Sequence, residues 1–278
     1  MRKALLLAVL AATAMPAGVY GQNWRTVTKS RKIENNDPVR VFVDYGSGHF
    51  TVKASDEGQL YSMNLRYDED RFEPVAEFSG TRLELGVEST SNGWSRRGRN
   101  ESGQFDLELA RGVPMDLELN FGVVQADLDL GGLALTDLDL RTGASQTTID
   151  VSEPNPEVME RALFEVGAAE FTARHLGNLN ADRIEVNAGV GELTLWFNGR
   201  WQRNASVSID MGLGALELRI PESLGVRLEK DSFLTSLDSE GMVKRGDAYY
   251  SLDWETADHQ ISIDLDAAFG SVKVVWVR

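Results

Sequence analysis

Three histidines, His49, His175 and His259, are the side chains best suited to acid–base or metal chemistry. No two of them lie within four residues of each other, so the sequence lacks a local pair with zinc-site spacing. Cysteine is absent, which excludes a cysteine nucleophile, a Cys-ligated metal and a disulfide framework. The Gly-x-Ser-x-Gly and Ser-x-x-Lys nucleophile motifs are also absent. We therefore predict no catalytic residue, no cofactor and no metal site.

Acidic residues are the next candidates for chemistry. Four of them alternate with leucines: Asp127, Asp129, Asp137 and Asp139. In strands, this alternation places the four carboxylates on an outer face. Paired carboxylates about 5–9 Å apart can hydrolyse glycosides, and stacked aspartates can bind calcium. We favour the interpretation that these acids only solvate a strand face; whether they bind a cation stays open.

Aromatic residues are concentrated in the C-terminal half: Trp196, Phe197, Trp201, Tyr249, Tyr250 and Trp254. Exposed aromatic rings can stack on sugars or anchor a protein partner. The alternative is that they cover the open end of a repetitive core. We favour this capping role.

The elements that must position these residues are strands, because apolar and polar residues alternate with period two from residue 105 onward. A glycine-centred unit punctuates them, most clearly as AGVGELTL at 188–195 and MGLGALEL at 211–218. Its first glycine recurs at positions 122, 143, 167, 189 and 212, which are 21 to 24 residues apart. A period in the twenties is typical of stacked repeats. Tight turns such as Asn-Gly, which an antiparallel sandwich would need, are scarce.

Stacking gives the repeats one shared interior. We predict an all-β single-chain solenoid with repeats of about 22 residues, in which Leu193 lies above Leu216 and Phe171. The glycines should occupy one corner of each turn, where the chain bends sharply or approaches its neighbour closely. The one helix that we predict is short, from Pro156 to Leu163.

The N-terminus has the pattern of a secretion signal. A basic start at residues 1–3 is followed by an apolar run at 4–14 and a plausible cleavage site at Gly21. We predict a signal peptide at 1–21, no transmembrane segment, and a periplasmic or extracellular product. The 28 basic and 43 acidic residues give a net charge of −15, which argues against a nucleic-acid partner.

The mature chain divides by composition into three parts. Residues 22–88 form an N-terminal strand set, residues 89–104 form a polar, locally basic loop, and residues 105–278 form the repeat body. We expect the repeat body to share one continuous core with residues 37–88, since neither the polar loop nor the Pro-containing loop at 152–156 separates two domains.

The segment VRVFVDYGSGHFTV at 39–52, the glycine repeats and the closing FGSVKV at 269–274 resemble the bacterial toastrack domains. These occur in LiaF-like envelope-response proteins and in the DUF4097-type adhesin family. The resemblance extends over residues 37–278. It implies a single-stranded right-handed β-helix at the bacterial cell envelope, and it implies no catalytic residues.

Two functions from different classes are consistent with these features. The first is a non-enzymatic scaffold or adhesin-like binding module of the envelope, whose partner is a protein or a glycan. The alternative is a secreted carbohydrate-active enzyme that uses the acidic strand faces of a β-helix. The sequence does not specify the ligand, the pathway or the oligomeric state.

Overall fold

The computed structural model describes residues 23–90 and 103–278. Within these ranges the regular structure consists of strands and one short 3₁₀ turn, Leu176–Leu179. The strands are β1 (Trp24–Lys32), β2 (Val39–Ser55), β3 (Gln59–Asp68), β4 (Phe72–Ser79), β5 (Arg82–Ser89), β6 (Gly103–Ala110), β7 (Pro114–Asp129), β8 (Ala134–Asp150), β9 (Met159–Arg174), β10 (Ala181–Trp196), β11 (Ala205–Pro221), β12 (Gly225–Asp238), β13 (Met242–Arg245), β14 (Ala248–Ser251) and β15 (Gln260–Val277).

Eight long strands stack in parallel as the rungs of a solenoid. Their order is β2-β7-β8-β9-β10-β11-β15-β12. Leu193 pairs in register with Phe171 on one side and Leu216 on the other, which confirms the predicted stacking. All three side chains are at most 2% exposed, and burial of each contributes about 1.5–3 kcal/mol. The predicted all-β solenoid with repeats of about 22 residues is therefore confirmed.

Each rung folds over at its glycine unit. In β10, Ile184, Val186 and Ala188 point inward before the bend, and Leu193 and Leu195 point inward after it. The inward-facing parity switches across the bend, because four residues in between, 189–192, are partly or fully exposed. The two halves of a rung consequently form two facing sheets with the apolar core between them.

Return loops connect the second half of one rung to the first half of the next, at the end opposite the bend. Buried asparagines hold these loops to the neighbouring rungs. The Asn155 side chain accepts from the Leu135 amide and donates to the carbonyls of Leu135 and Leu179. Asn178 donates to the Val151 carbonyl in the same way. These amides satisfy backbone groups that would otherwise be buried without a partner.

Additional strands, with mostly antiparallel pairing, close the two ends of the stack. At one end the two halves of β2 diverge: residues 40–44 pair with β5, which pairs with β4, and residues 48–55 pair with β6, which leads to β3 and β1. At the other end β12 pairs with β14, and β14 pairs with β13. An open apolar core at either end would be exposed to water, and these strands cover it.

Two features differ from the sequence predictions. The helix predicted from Pro156 to Leu163 is wrong: residues 156–158 are irregular and Met159 begins strand β9. The rungs also do not stack fully in chain order, because the last strand, β15, inserts between β11 and β12.

The predicted signal peptide and most of the predicted polar loop lie outside the described residues. The predicted domain boundaries therefore stay a prediction.

Candidate binding surface at the glycine bend

Register places equivalent bend residues of successive rungs side by side. Gly189 approaches the preceding rung so closely that a Cβ there would lie 2.8 Å from the carbonyl oxygen of Gly167. Gly191 has a φ of +152°, a region that L-residues rarely adopt. Glycine is therefore required at these two positions by close approach and by conformation. The residue between them, Val190, projects outward at the corner.

The residues in the position of Val190 form an apolar ladder along the outer corner of the solenoid. In stacking order the apolar ladder is Val123, Ala144, Ala168, Val190, Leu213, Phe269 and Leu234. The four at the β12 end are half exposed: Val190 51%, Leu213 50%, Phe269 46% and Leu234 62%. Single exposed apolar side chains are ordinary, but a continuous row of them marks an interaction surface. Seven rungs about 4.8 Å apart make the ladder about 29 Å long.

A second column, two residues before the first glycine of each unit, borders the ladder. At the β12 end it consists of Asn187 followed by an acidic rail, which we define as Asp210, Asp266 and Asp231. Asp210 and Asp266 line an open groove of about 410 Å³ whose floor includes Gly189 and Gly212. No described Lys, Arg or His side chain forms a salt bridge with the acidic rail. This end of the surface is therefore apolar and anionic.

At the β7 end the same column carries a cation. Arg141 contacts three carboxylates on three rungs: Asp139 at 2.5 Å, Glu165 at 2.6 Å and Glu118 at 3.2 Å. Hydrogen bonding to Glu165 raises the pKa of Arg141 further. This residue lines a second open groove, of about 490 Å³, next to Gly143 and Gly167. At this end of the surface, Arg141 is therefore held by three ion pairs within the chain.

The four aspartates that alternate with leucine do not share a face. Asp127 and Asp129 lie after the bend of β7, whereas Asp137 and Asp139 lie before the bend of β8, on the opposite sheet. The predicted single outer face is therefore wrong, since sequence alternation does not show where a strand folds over. Asp139 is also buried rather than solvated. Within the described ranges, no cluster of three or more acidic or histidine side chains could hold a metal ion.

Burial controls the ionisation of two of these acids. Desolvation raises the pKa of Asp139, and Arg141 partly opposes this effect. Desolvation likewise raises the pKa of Asp137, opposed by Arg161. A raised pKa can mark a catalytic acid. Here burial accounts for the raised pKa, each carboxylate lies beside an arginine, and neither lines either of the bend grooves.

The three histidines lie on separate parts of the stack. His49 faces outward in β2, with its Nε2 3.8 Å from Asp127. His175, in a left-handed backbone conformation with φ 55°, places its Nδ1 2.6 Å from Asp150. The backbone carbonyl of His259 accepts a hydrogen bond from Gly225. His49 directly follows the bend glycine Gly48 of β2, on the first rung, whereas His175 and His259 lie away from the bend.

The aromatic residues divide into two groups. Tyr249 and Tyr250 lie in the end strand β14, and the Tyr250 ring contacts Trp254 at a centroid distance of 5.6 Å. For these the capping prediction is confirmed. The other group lies in the middle of the stack, where capping is wrong: Phe197 is fully buried, and the Trp201 indole donates to its carbonyl. Trp196 stacks under Arg219 on the outer face.

Sequence reasoning found the glycine corner but missed the surface around it. The ladder residues differ in type from rung to rung, so only the register shows that they adjoin. The acidic rail was equally hidden, because Asp231 and Asp266 become neighbours through the insertion of β15. The available signal was the recurrence of a polar residue two positions before each first glycine.

The fold and its bend surface define a parallel β-solenoid whose repeats bend at glycine. A model of the toast_rack N-terminal domain, DUF2154, matches residues 21–174 and 162–219. The match extends over more than half of the chain, so the chain belongs to this family. The predicted toastrack relationship is confirmed, and the narrower DUF4097 assignment stays a prediction. Among curated proteins, none matches the sequence.

Solved structures are similar to this chain at low sequence identity. A "putative cell adhesion protein" from Clostridium sporogenes is 15% identical, with a TM-score of 0.50 over 92% of this chain and 100% of that one. A "putative adhesin" from Bacteroides fragilis is 12% identical, with a TM-score of 0.32 over 90% and 97%. A "putative lipid binding protein" from Parabacteroides distasonis is 11% identical, with a TM-score of 0.38 over 92% and 97%.

In the parts of the chain that the structure describes, no helix is long and apolar enough to cross a membrane.

Proposed function

We propose that the chain is a secreted or periplasmic, non-enzymatic β-solenoid of the bacterial cell envelope, which acts as a scaffold or adhesin-like binding module. The single observation that carries the proposal is the apolar ladder. Its side chains are exposed at the bend in register from rung to rung. The signal-peptide pattern and the toast_rack family support the location.

The partner is an envelope protein or a glycan that contacts the bend surface. Two open grooves, of about 490 and 410 Å³, lie along the column of residues two positions before each first glycine. Glycines line part of each groove, so a partner can approach the main chain closely there. The rigid parallel stack holds these contacts in fixed positions, which lowers the entropy cost of binding.

The enzymatic alternative loses its structural basis at the acidic residues. It depends on Asp127, Asp129, Asp137 and Asp139 acting together, but two of them lie on each sheet, with the core in between. A glycosidase pair has to approach one substrate bond from a common groove. We therefore do not retain this alternative as a second proposed function.

Chemical crosslinking in the producing cells tests the proposal. The tagged chain is compared with a variant that carries Val190→Ser, Leu213→Ser and Leu234→Ser. We expect one recurrent envelope component attached to the wild type and absent from the variant. If the wild type is recovered free and monomeric, or if both chains carry the same attachments, the proposal is contradicted.

A further inference from the structure

We propose that the β12 end of the bend surface binds a basic amphipathic helix of a protein partner. This inference rests on the proposed function and specifies the partner chemistry of the same surface. The apolar stripe of the helix would pack on Val190, Leu213, Phe269 and Leu234. Lysine or arginine side chains along one flank of the helix would face the acidic rail.

The size of the apolar contact fits a short helix. The four large ladder residues at the β12 end occupy consecutive rungs, so they extend over about 14 Å. A helix of about ten residues has that length. Towards β8 the ladder continues as Ala168 and Ala144, whose small side chains offer little apolar contact area. The contact is therefore concentrated at the β12 end.

Charge selects a cationic partner. Asp210, Asp266 and Asp231 stack on adjacent rungs, and none of the salt bridges among the described residues involves them. In the same column, Arg141 meets three carboxylates through its own guanidinium. Arg141 thus pairs with the column's Glu165, whereas the three stacked acids of the acidic rail have no such pairing among the described residues and present their charge to a cationic partner.

The side-by-side arrangement of the two columns favours a helix over a strand. The ladder and the rail lie on the same surface, three residues apart along each rung. An amphipathic helix presents an apolar stripe and adjoining basic residues towards one side. An extended strand sends alternate side chains to opposite sides, so its basic residues would point away from the rail.

Other occupants fit the charges less well. A second copy of the chain, packed by the same patch, would bring two acidic rails together. A bilayer of anionic lipids would be repelled by the rail for the same reason. A neutral glycan could accept or donate hydrogen bonds at the three carboxylates, but it would gain no electrostatic attraction from their charge.

Two designed peptides test the inference on the mature chain. Both are 14-residue amphipathic helices with the same leucine stripe, one with a lysine polar face and the other with a glutamate polar face. We expect the lysine peptide to bind and the glutamate peptide not to bind. Fluorescence anisotropy at 20 to 300 mM salt measures affinity and its salt dependence, with a steep loss expected as salt rises.

Two variants separate the ladder from the rail. The rail variant combines Asp210→Asn, Asp231→Asn and Asp266→Asn. We expect it to bind the lysine peptide about tenfold more weakly and with a smaller dependence on salt. The ladder variant combines Leu213→Ser and Phe269→Ser. We expect it to bind the lysine peptide more weakly by a similar factor, with the same salt dependence as the wild type. Val190→Ser alone serves if the double variant does not fold.

The matched control removes three exposed negative charges elsewhere: Glu57→Gln, Glu160→Gln and Asp247→Asn. We expect it to bind like the wild type. If the control loses as much affinity as the rail variant, attraction to net charge explains the binding and the inference is overturned. Failure of both peptides to bind, dimerisation that the ladder variant abolishes, or preference for a glycan would overturn it as well. An envelope crosslink that depends on the ladder would still support the proposed function in those cases.

Discussion

Replacement of Gly191 by alanine tests the bend that creates the binding surface. The φ of Gly191 is +152°, and a Cβ there would lie 1.8 Å from the carbonyl oxygen of Ala169. Alanine would strain the backbone by about 1–3 kcal/mol. It would also force apart two hydrogen-bonded rungs, and such overpacking costs about 1–3 kcal/mol. We expect Gly191→Ala to lower the free energy of unfolding by about 2–6 kcal/mol, the sum of the two costs.

Gly46→Ala is the matched control. Gly46 belongs to the same kind of bend, but a Cβ there meets no atom within 4 Å and its φ is not positive. We expect this variant to be unchanged or more stable by about 0.4–1 kcal/mol, because alanine restricts the unfolded chain. Urea unfolding followed by circular dichroism measures both. With a slope of about 3 kcal/mol/M, the urea midpoint of the Gly191 variant should fall by about 0.7–2 M. Equal midpoints for the two variants would refute the assigned bend geometry.

Three further predictions concern the core and the acids. Leu193→Asp buries a carboxylate between Phe171 and Leu216, so we expect no cooperative unfolding transition near neutral pH, and a wild-type urea midpoint would disprove its inward position. Asp266→Asn removes repulsion from two neighbouring aspartates, so the free energy of unfolding should rise by about 0.5–1 kcal/mol at low salt and less at high salt; a fall at low salt would contradict this. Burial raises the folded pKa of Asp139, so its folded form binds protons more tightly than its unfolded form, and stability should increase as the pH falls through that raised pKa towards 3.8. Asp139→Asn should remove part of this increase in urea melts between pH 7 and pH 4, and an unchanged pH profile would exclude this role.

The regular part of the fold could be predicted because the glycine spacing fixes the register. Once Gly167, Gly189 and Gly212 are aligned, the stacking of Phe171, Leu193 and Leu216 follows directly. Apolar alternation then assigns the inward side chains of each half-rung. Glycine spacing and apolar alternation are local, periodic properties, so a single sequence is enough to recognise them.

The parts of the fold and of the bend surface that the sequence did not predict depend on contacts between residues far apart in the chain. The insertion of β15 between β11 and β12 joins segments far apart in the chain, and no local pattern of Asp231 or Asp266 indicates that they adjoin. The division of Asp127 from Asp139 between the two sheets follows from where the rungs bend. The helix predicted from Pro156 is wrong because its apolar residues, from Met159 onward, begin strand β9, which pairs with β8 and β10.

The loop asparagines were also hidden from the sequence. Asn155 and Asn178 look like ordinary turn residues, although their side chains bridge between rungs and are buried. Their role depends on carbonyl groups contributed by the adjacent loops. A single repeat therefore gives no indication of it.

Site-specific photo-crosslinking in the producing bacterium tests the central claim, that the bend surface is where this solenoid binds. A photoreactive phenylalanine analogue replaces Leu213 on the apolar ladder or, as a control, the exposed Arg200 in the return loop at the opposite end of the rung. The account predicts a discrete, identifiable envelope adduct from position 213 and none from position 200. Adducts from position 200 alone, or from both positions equally, would contradict it.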